Sequence, residues 1–298
     1  MITNNFGELA AVLTALCWAI TSISFEDAVK KIGPVNLNLM RLVIALVFLS
    51  MFSSVTRGEL FPVDASSDVW IWLSLSGIVG IVVGDQLILE AISSVGARTT
   101  MLIYSSVPPL SGFFAFIILK ETMTSIQIIG MMITIWGIVY VITDRYNATT
   151  QSTHKQSTRG IIFAVGGSIC QSLGYVIGKY GMVDYNPFAA TQIRLLAGVI
   201  LLCIMFTFGG QWRSFITVLG NGSGLKSTIV GSFFGPFIGI SLSLYAVQRI
   251  NPGVASTLMS ITPVLLVIYA VMIKKEHVHI KEVAGTIIVV CGLGVMFI

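Results

Sequence analysis

Long apolar runs separated by short polar breaks dominate the chain. Bounded by charges and by Gly, Pro or Asn, they cover residues 8–25, 35–55, 69–90, 99–119 and 125–143, then 160–180, 187–208, 227–247, 253–273 and 281–298. Each is close to the roughly 20 residues that cross bilayer hydrocarbon as a helix. The runs lack the apolar and polar alternation of an outer-membrane barrel, and lipid tolerates only backbones that satisfy their own hydrogen bonds. The pattern therefore predicts an all-α polytopic membrane protein with ten transmembrane helices. The first run follows Glu8 with no positive region before it and no small-residue cleavage site, so it reads as a retained helix rather than a signal peptide.

One long polar stretch, "DRYNATTQSTHKQSTR", lies halfway along the chain. It divides a first five-helix repeat (1–145) from a second (159–298), with 146–158 as linker. The halves carry matched residues at nearly constant offset. Gly7 and Gly160 are 153 apart, as are Arg41 in "LMRLVIA" and Arg194 in "QIRLLAG". Pro109 and Pro263 are 154 apart, while Glu121 and Glu276, Gly130 and Gly285, and Gly137 and Gly292 are 155 apart. An odd number of crossings per repeat makes the second half enter from the opposite side, which predicts an inverted repeat, an architecture typical of secondary transporters.

Composition narrows the function classes. Apolar residues make up 55% and charged residues only 10%, with a mean hydropathy of +0.92, against about 25% charged in a soluble domain. A soluble fold is excluded, and ten crossings leave no room for an extramembrane domain. The net charge of +4 is scattered singly, which argues against a nucleic-acid partner. Cys17, Cys170, Cys203 and Cys291 lie in apolar runs without paired spacing, and His154, His277 and His279 fall in connections or at helix ends. No metal site, intramembrane nucleophile with its base, or nucleotide-binding Gly-rich loop is expected, so neither an enzyme nor a cofactor is read here. The partners expected are the lipid bilayer, a small-molecule substrate and protons, with the chain a monomer or homodimer. Odd-numbered connections hold eleven Lys and Arg and even-numbered ones four, which by the positive-inside rule places the termini outside.

The chain resembles the drug/metabolite transporter superfamily, in its EamA-type branch of two five-helix repeats. The resemblance spans the whole chain. It is carried by "ALCWA" around Trp18, by Arg41 and Arg194, by the prolines of "SVPPL" and "ITPVL", by "LKE" and "KKE", and by the Gly-x6-Gly spacing of helices five and ten. The family's "LWG" appears as Cys17, Trp18 and Ala19, and its second-half counterpart as Cys170, Gln171 and Ser172, so the two half-sites differ. The resemblance implies a gradient-driven carrier, commonly an exporter of amino acids, related metabolites or amphipathic compounds, in the plasma (inner) membrane of a prokaryote. It also implies a cavity among helices one, three, four, six, eight and nine, peripheral helices five and ten, and cytoplasmic termini. A passive channel is the alternative transport mode, and an embedded enzyme a third reading.

Particular residues carry the chemistry. Asp85 sits deep in helix three, where an ionised carboxylate costs about 2.5 to 3.5 kcal/mol on insertion scales. It must be protonated, paired or facing water; the readings are a proton or substrate-amine site, or a structural pair with an Arg. Its repeat counterpart is Ile240. Arg41 and Arg194 are the helix-embedded cations, read as snorkelling anchors or as partners of an acid or substrate. Gly80 and Gly84 match Gly235 and Gly239 as small-residue stripes for close packing, with a sliding surface as the second reading. Pro109 and Pro263, with Pro108 and Pro236, are expected to kink their helices, leaving Ser105, Ser106, Ser260 and Thr262 as cavity candidates. Trp18, Tyr104, Tyr175 and Tyr245, with Gln171, stand at mid-membrane depth as core packing or as the wall of a substrate site. Glu90 is expected to reach the interface.

Overall fold

A computed structural model of the protein describes residues 6–120, 124–126, 128–130, 132–137, 140, 158–249, 255, 258–273, 275 and 280–295. Residues 146–157 of the 146–158 linker and the three histidines lie outside them, while Thr158 heads a helix. Every regular element among the described residues is helical. The first half contains α1 (Phe6–Ile32), α2 (Pro34–Arg57), α3 (Ser67–Ser76), a π-helical segment π1 (Gly77–Gly84), α4 (Asp85–Tyr104) and α5 (Val107–Ile118). The second contains α6 (Thr158–Met182), α7 (Pro187–Phe208), α8 (Trp212–Leu219), α9 (Gly222–Ser232), π2 (Phe233–Gly239), α10 (Ile240–Arg249), α11 (Thr262–Met272) and α12 (Ile280–Val295).

Among the described residues, six helical stretches are long and apolar enough to cross a membrane: Phe6–Ile32, Pro34–Arg57, Ser67–Tyr104, Thr158–Met182, Pro187–Phe208 and Gly222–Arg249. Shorter apolar helices occupy Val107–Ile118, Ile128–Gly137 and Val283–Gly292. The ends of the long helices follow from local chemistry. Gly33, at φ 77°, turns the chain into Pro34 at the head of α2, and Ser66 accepts from Val69 N at the head of α3. Asn186 accepts from Phe188 N and Ala189 N before Pro187 opens α7, an N-cap followed by the residue best suited to the first turn.

Two features depart from the reading of the sequence. The expected third and fourth crossings join without a loop, separated only by a break at Gly96 (φ 81°, ψ 162°). The expected fourth crossing is itself interrupted by a turn at Ser105–Ser106, and a turn at Ser260–Ile261, 155 residues later, precedes α11. Pro108 and Pro109 therefore stand in the first turn of α5, and Pro263 in the first turn of α11. A first turn has no intrahelical partner for the missing N–H, so these prolines start helices rather than kink them. Pro236 does lie inside a helical segment, and that segment is π2.

The glycine stripes pack against protein. A methyl group added at Gly174 of α6 would lie 2.8 Å from Gly80 Cα, and one added at Gly84 would lie 3.2 Å from Cys170 Cβ. One turn back, Ser76 Oγ lies 2.9 Å from such a group at Gly178. In the other half, added methyls at Gly231, Gly235 and Gly239 would meet Phe25, Thr21 and Trp18 of α1 at 2.3, 2.6 and 3.1 Å. At the offsets read from the sequence, the pairs at Gly174 and Gly178 are the same contacts with the halves exchanged, and the third is matched by the 3.4 Å approach of Gly84 to Gln171 N, the counterpart of Trp18. The first half's α3, π1 and α4 face α6, and the second half's α9, π2 and α10 face α1. The outer helices repeat the pattern: an added methyl at Gly137 would meet Val289 N at 3.0 Å, and one at Gly292 would meet Thr134 N at 2.6 Å.

Polar ties join the halves at both ends of α2. At its start, Asn36 Nδ2 donates to Ser214 Oγ (3.2 Å) and Lys31 Nζ to Ser223 Oγ (2.8 Å). At its far end, Arg57 Nη2 donates to Asp64 (2.6 and 2.7 Å), which also accepts from Tyr185 Oη (2.8 Å). Burial raises the Asp64 carboxyl, but the donors from Tyr185 and Arg57 outweigh it and hold the group below its usual value. Burial and the bond to Asp64 push the Tyr185 hydroxyl up to about 12. The connection after α1 thus meets the one after α7 at one end of α2, while the connection after α2 meets the one after α6 at the other. At about 1.5 Å per residue, the 24 residues of α2 put these ends about 36 Å apart.

Candidate functional site

Between α1, α2, π1, α4, α6, α7 and π2 lies a cavity of about 90 Å³. Both halves build it. Its walls include Trp18, Phe25, Arg41, Asp85, Tyr104, Gln171, Tyr175, Arg194 and Pro236, with apolar area from Ile81, Ile88, Ile92 and Met101. A second cavity, of about 130 Å³, lies beside the Gly96 break and has Glu26 and Arg98 in its wall.

The charges meet in the first cavity. Arg41, with its side chain 4% exposed, places Nη2 2.7 Å from Asp85 Oδ2, and Gln171 Nε2 donates to Asp85 Oδ1. Both carboxylate oxygens therefore have a donor. Asn38, one helical turn before Arg41 on α2, accepts from Arg41 Nε and Nη2 at 3.1 and 2.8 Å. The π-helical segment supplies two more acceptors, because an i to i+5 turn leaves carbonyls without their usual α partners. Ile81 O takes Arg41 Nη2 at 3.2 Å, and Val82 O takes Asn38 Nδ2 at 3.3 Å. The network continues outward through Gln86 Oε1, which accepts from Asn38 Nδ2 (3.0 Å), and Gln86 Nε2, which donates to Glu90 Oε1 (3.2 Å). Glu90 is half-buried at the end of this chain.

Arg194 also lines this cavity and is 1% exposed. Its Nε and Nη1 have no hydrogen-bond partner, while Asp85, Tyr104 and Tyr175 are within electrostatic reach. Tyr104 and Tyr175 line the same cavity, within electrostatic reach of each other. The Trp18 ring meets Tyr104 edge to face at 5.9 Å.

Of the residues singled out in the sequence, Trp18, Arg41, Asp85, Tyr104, Gln171, Tyr175, Arg194 and Gly235 share this cavity. Gly80 packs beside Arg194 and Gln171, Gly84 beside Gln171, and Gly239 beside Trp18. Tyr245 packs near Ala10 and Met259, with the Arg249 guanidinium 3.7 Å above its ring. Ser106 and Ser260 occupy the two helix breaks, near Pro109 and Pro263. Asn38 and Gln86 join the site unannounced; the available signal was an Asn three residues before an embedded Arg. The halves are unequal here as well. Gln171 and Asp85 form a polar pair, and the equivalent positions hold Trp18 and Ile240.

Comparison with known proteins decides the class. The EamA-like transporter family model matches residues 5–143 and again 158–298. The chain belongs to the EamA-like transporter family. It is a multi-pass membrane protein of transmembrane transport, with a small-molecule substrate. Relatives of this family member include an uncharacterized transporter of Clostridium kluyveri, 24% identical over 96% of this chain and 91% of that protein. The uncharacterized inner membrane transporter YedA of Escherichia coli is 22% identical over 88% of this chain and 80% of its own length. A crystal structure of 15% sequence identity covers 99% of this chain and 98% of its own, with a TM-score of 0.63, and so shares the fold.

Proposed function

We propose that this EamA-like transporter is a proton-coupled secondary carrier that exports small metabolites, such as amino acids or amphipathic compounds, across the inner membrane of a prokaryote. The two halves are inverted repeats that rock about the central cavity and expose it to each side in turn. The observation that carries this reading is the buried cluster of Arg41, Asp85 and Gln171 in a cavity walled by both halves. The exchanged contacts support the inversion, since equivalent connections fall at opposite ends of α2.

A carboxylate held by Arg41 and Gln171 is a proton acceptor whose charge decides whether the two halves are tied together. Protonating Asp85 removes the attraction for Arg41 and leaves Gln171 facing a neutral acid. That frees α6 to move against π1 and α4. Deprotonation restores the tie, so proton binding and cavity opening become linked.

Asp85→Asn preserves size and polarity but cannot titrate. In proteoliposomes with an imposed pH gradient, the variant is expected to lose gradient-driven accumulation while keeping downhill exchange. Full accumulation in the variant refutes the coupling role. Downhill flux alone in the wild type points to a passive facilitator.

A further inference from the structure

Arg194 is the feature that proton coupling leaves unused. A guanidinium stays protonated and carries five N–H donors. Burying it without a partner is costly, and buried cations are normally paired. Its repeat counterpart, Arg41, obeys that rule through Asp85 and Asn38. The position equivalent to Asp85 in the second half is Ile240, so Arg194 has no acid of its own, and its Nε and Nη1 are unpartnered. Asp85 is already held by Arg41 and Gln171. Among the described residues, two guanidinium groups thus share the cavity wall with a single carboxylate.

We propose that Arg194 is the anion receptor of the cavity and that the transported solute is a small organic monoanion or zwitterion with an apolar body, bound through its carboxylate. The inference deepens the carrier reading and rests on it for the solute's being moved. An oxygen pair presented to Nε and an Nη atom forms the bidentate, charge-assisted contact for which Arg is suited. The hydroxyls of Tyr104 and Tyr175 flank the same space and supply further donors. The solute's apolar body would lie against Ile88, Ile92 and Met101, and an aromatic or branched chain suits these surfaces better than a strongly hydrated inorganic anion. The asymmetry of the half-sites then has a use, since one Arg is committed to the coupling acid and the other to cargo.

Binding on the purified full-length protein in detergent tests this directly. Isothermal titration would compare three probes of one shape: isovalerate (a carboxylate), isoamylamine (a cation) and isoamyl alcohol (neutral). The wild type is expected to prefer isovalerate. Arg194→Gln should weaken isovalerate by about 10- to 100-fold, the scale of one charge-assisted contact, and leave the alcohol unchanged. Arg194→Lys should recover part of the loss. Unchanged binding of the alcohol and an unchanged melting temperature show that the variant is folded. If Arg194→Gln does not fold, the Lys variant, with charge but no fork, must still prefer isovalerate. A wild type that binds none of the three, or favours the amine, overturns the proposal, as does Arg194→Gln with native isovalerate affinity. Chloride competing as well as isovalerate would also overturn it in favour of an inorganic ion. Binding without flux in proteoliposomes would sink the carrier reading alone, whereas flux without carboxylate preference would sink this inference alone.

Discussion

Gly96 holds φ 81° and ψ 162°, a backbone conformation essentially closed to residues with a Cβ, at the point where two crossings meet without a loop. A Cβ built there would lie 3.4 Å from the nearest atom, Glu26 Oε1, which is ordinary contact. Any penalty therefore comes from the backbone rather than from crowding. Gly96→Ala is expected to cost about 1–3 kcal/mol and to lower the melting temperature in detergent, without altering the residues of the central cavity. An unchanged melting temperature would mean that the break relaxes. Residues of this kind show how far the sequence could be read. Asp85, Arg41 and Arg194 were legible because a charge inside an apolar run demands an explanation. A pair between Asp85 and an Arg stood among the readings, but which of the two arginines takes it was not legible, since that depends on which helix faces which. Asn38 was hidden by being a neutral polar residue in a helix with other such residues, and Gly96 passed for part of an ordinary connection.

At the scale of elements, hydropathy located six spans long enough to cross a membrane among the described residues, but not the interruptions of the helices. A π-helical turn has the same composition as an α-helical one, so nothing in "GIVGIVVG" announces π1, and Pro236 in "FFGPFIG" announced only a kink where π2 lies. The turns at Ser105–Ser106 and Ser260–Ile261 were marked by prolines, yet an interior kink and a new helix start leave the same sequence trace. The glycine stripes were readable as packing surfaces because small residues four apart have few other uses in membranes; their partners α1 and α6 were not. Placing Leu at Gly84 would drive a side chain into Cys170 and Gln171, and Leu at Gly239 into the Trp18 ring. Overpacking of this kind costs about 1–3 kcal/mol. Both Gly84→Leu and Gly239→Leu are expected to reach the membrane in reduced amount and to transport several-fold more slowly per molecule. Wild-type rates in both would show that the helices can separate without loss.

For the whole molecule, the exchanged contacts make the boundary between sequence repeats different from the boundary between packed bodies. Helix α1 is packed on the second half, and α6 on the first. Cutting the chain between residues 150 and 151 should thus give two fragments that are each unstable alone and that regain transport when co-expressed. A fragment of 1–150 that is stable and soluble in mild detergent by itself would contradict this. The same crossing of partners has a consequence for biosynthesis. The contact between Phe25 and Gly231 closes only after some 200 further residues have been made. At about 5–20 residues per second, the first helix resides in the bilayer for on the order of 10 to 40 s before its partner emerges. Through that interval the face of α1 that carries Trp18, Thr21 and Phe25 meets lipid or the insertion machinery, and its own apolar length must hold it in place. The order of synthesis, rather than the finished fold, then sets the moment at which a defective chain is most open to quality-control proteases.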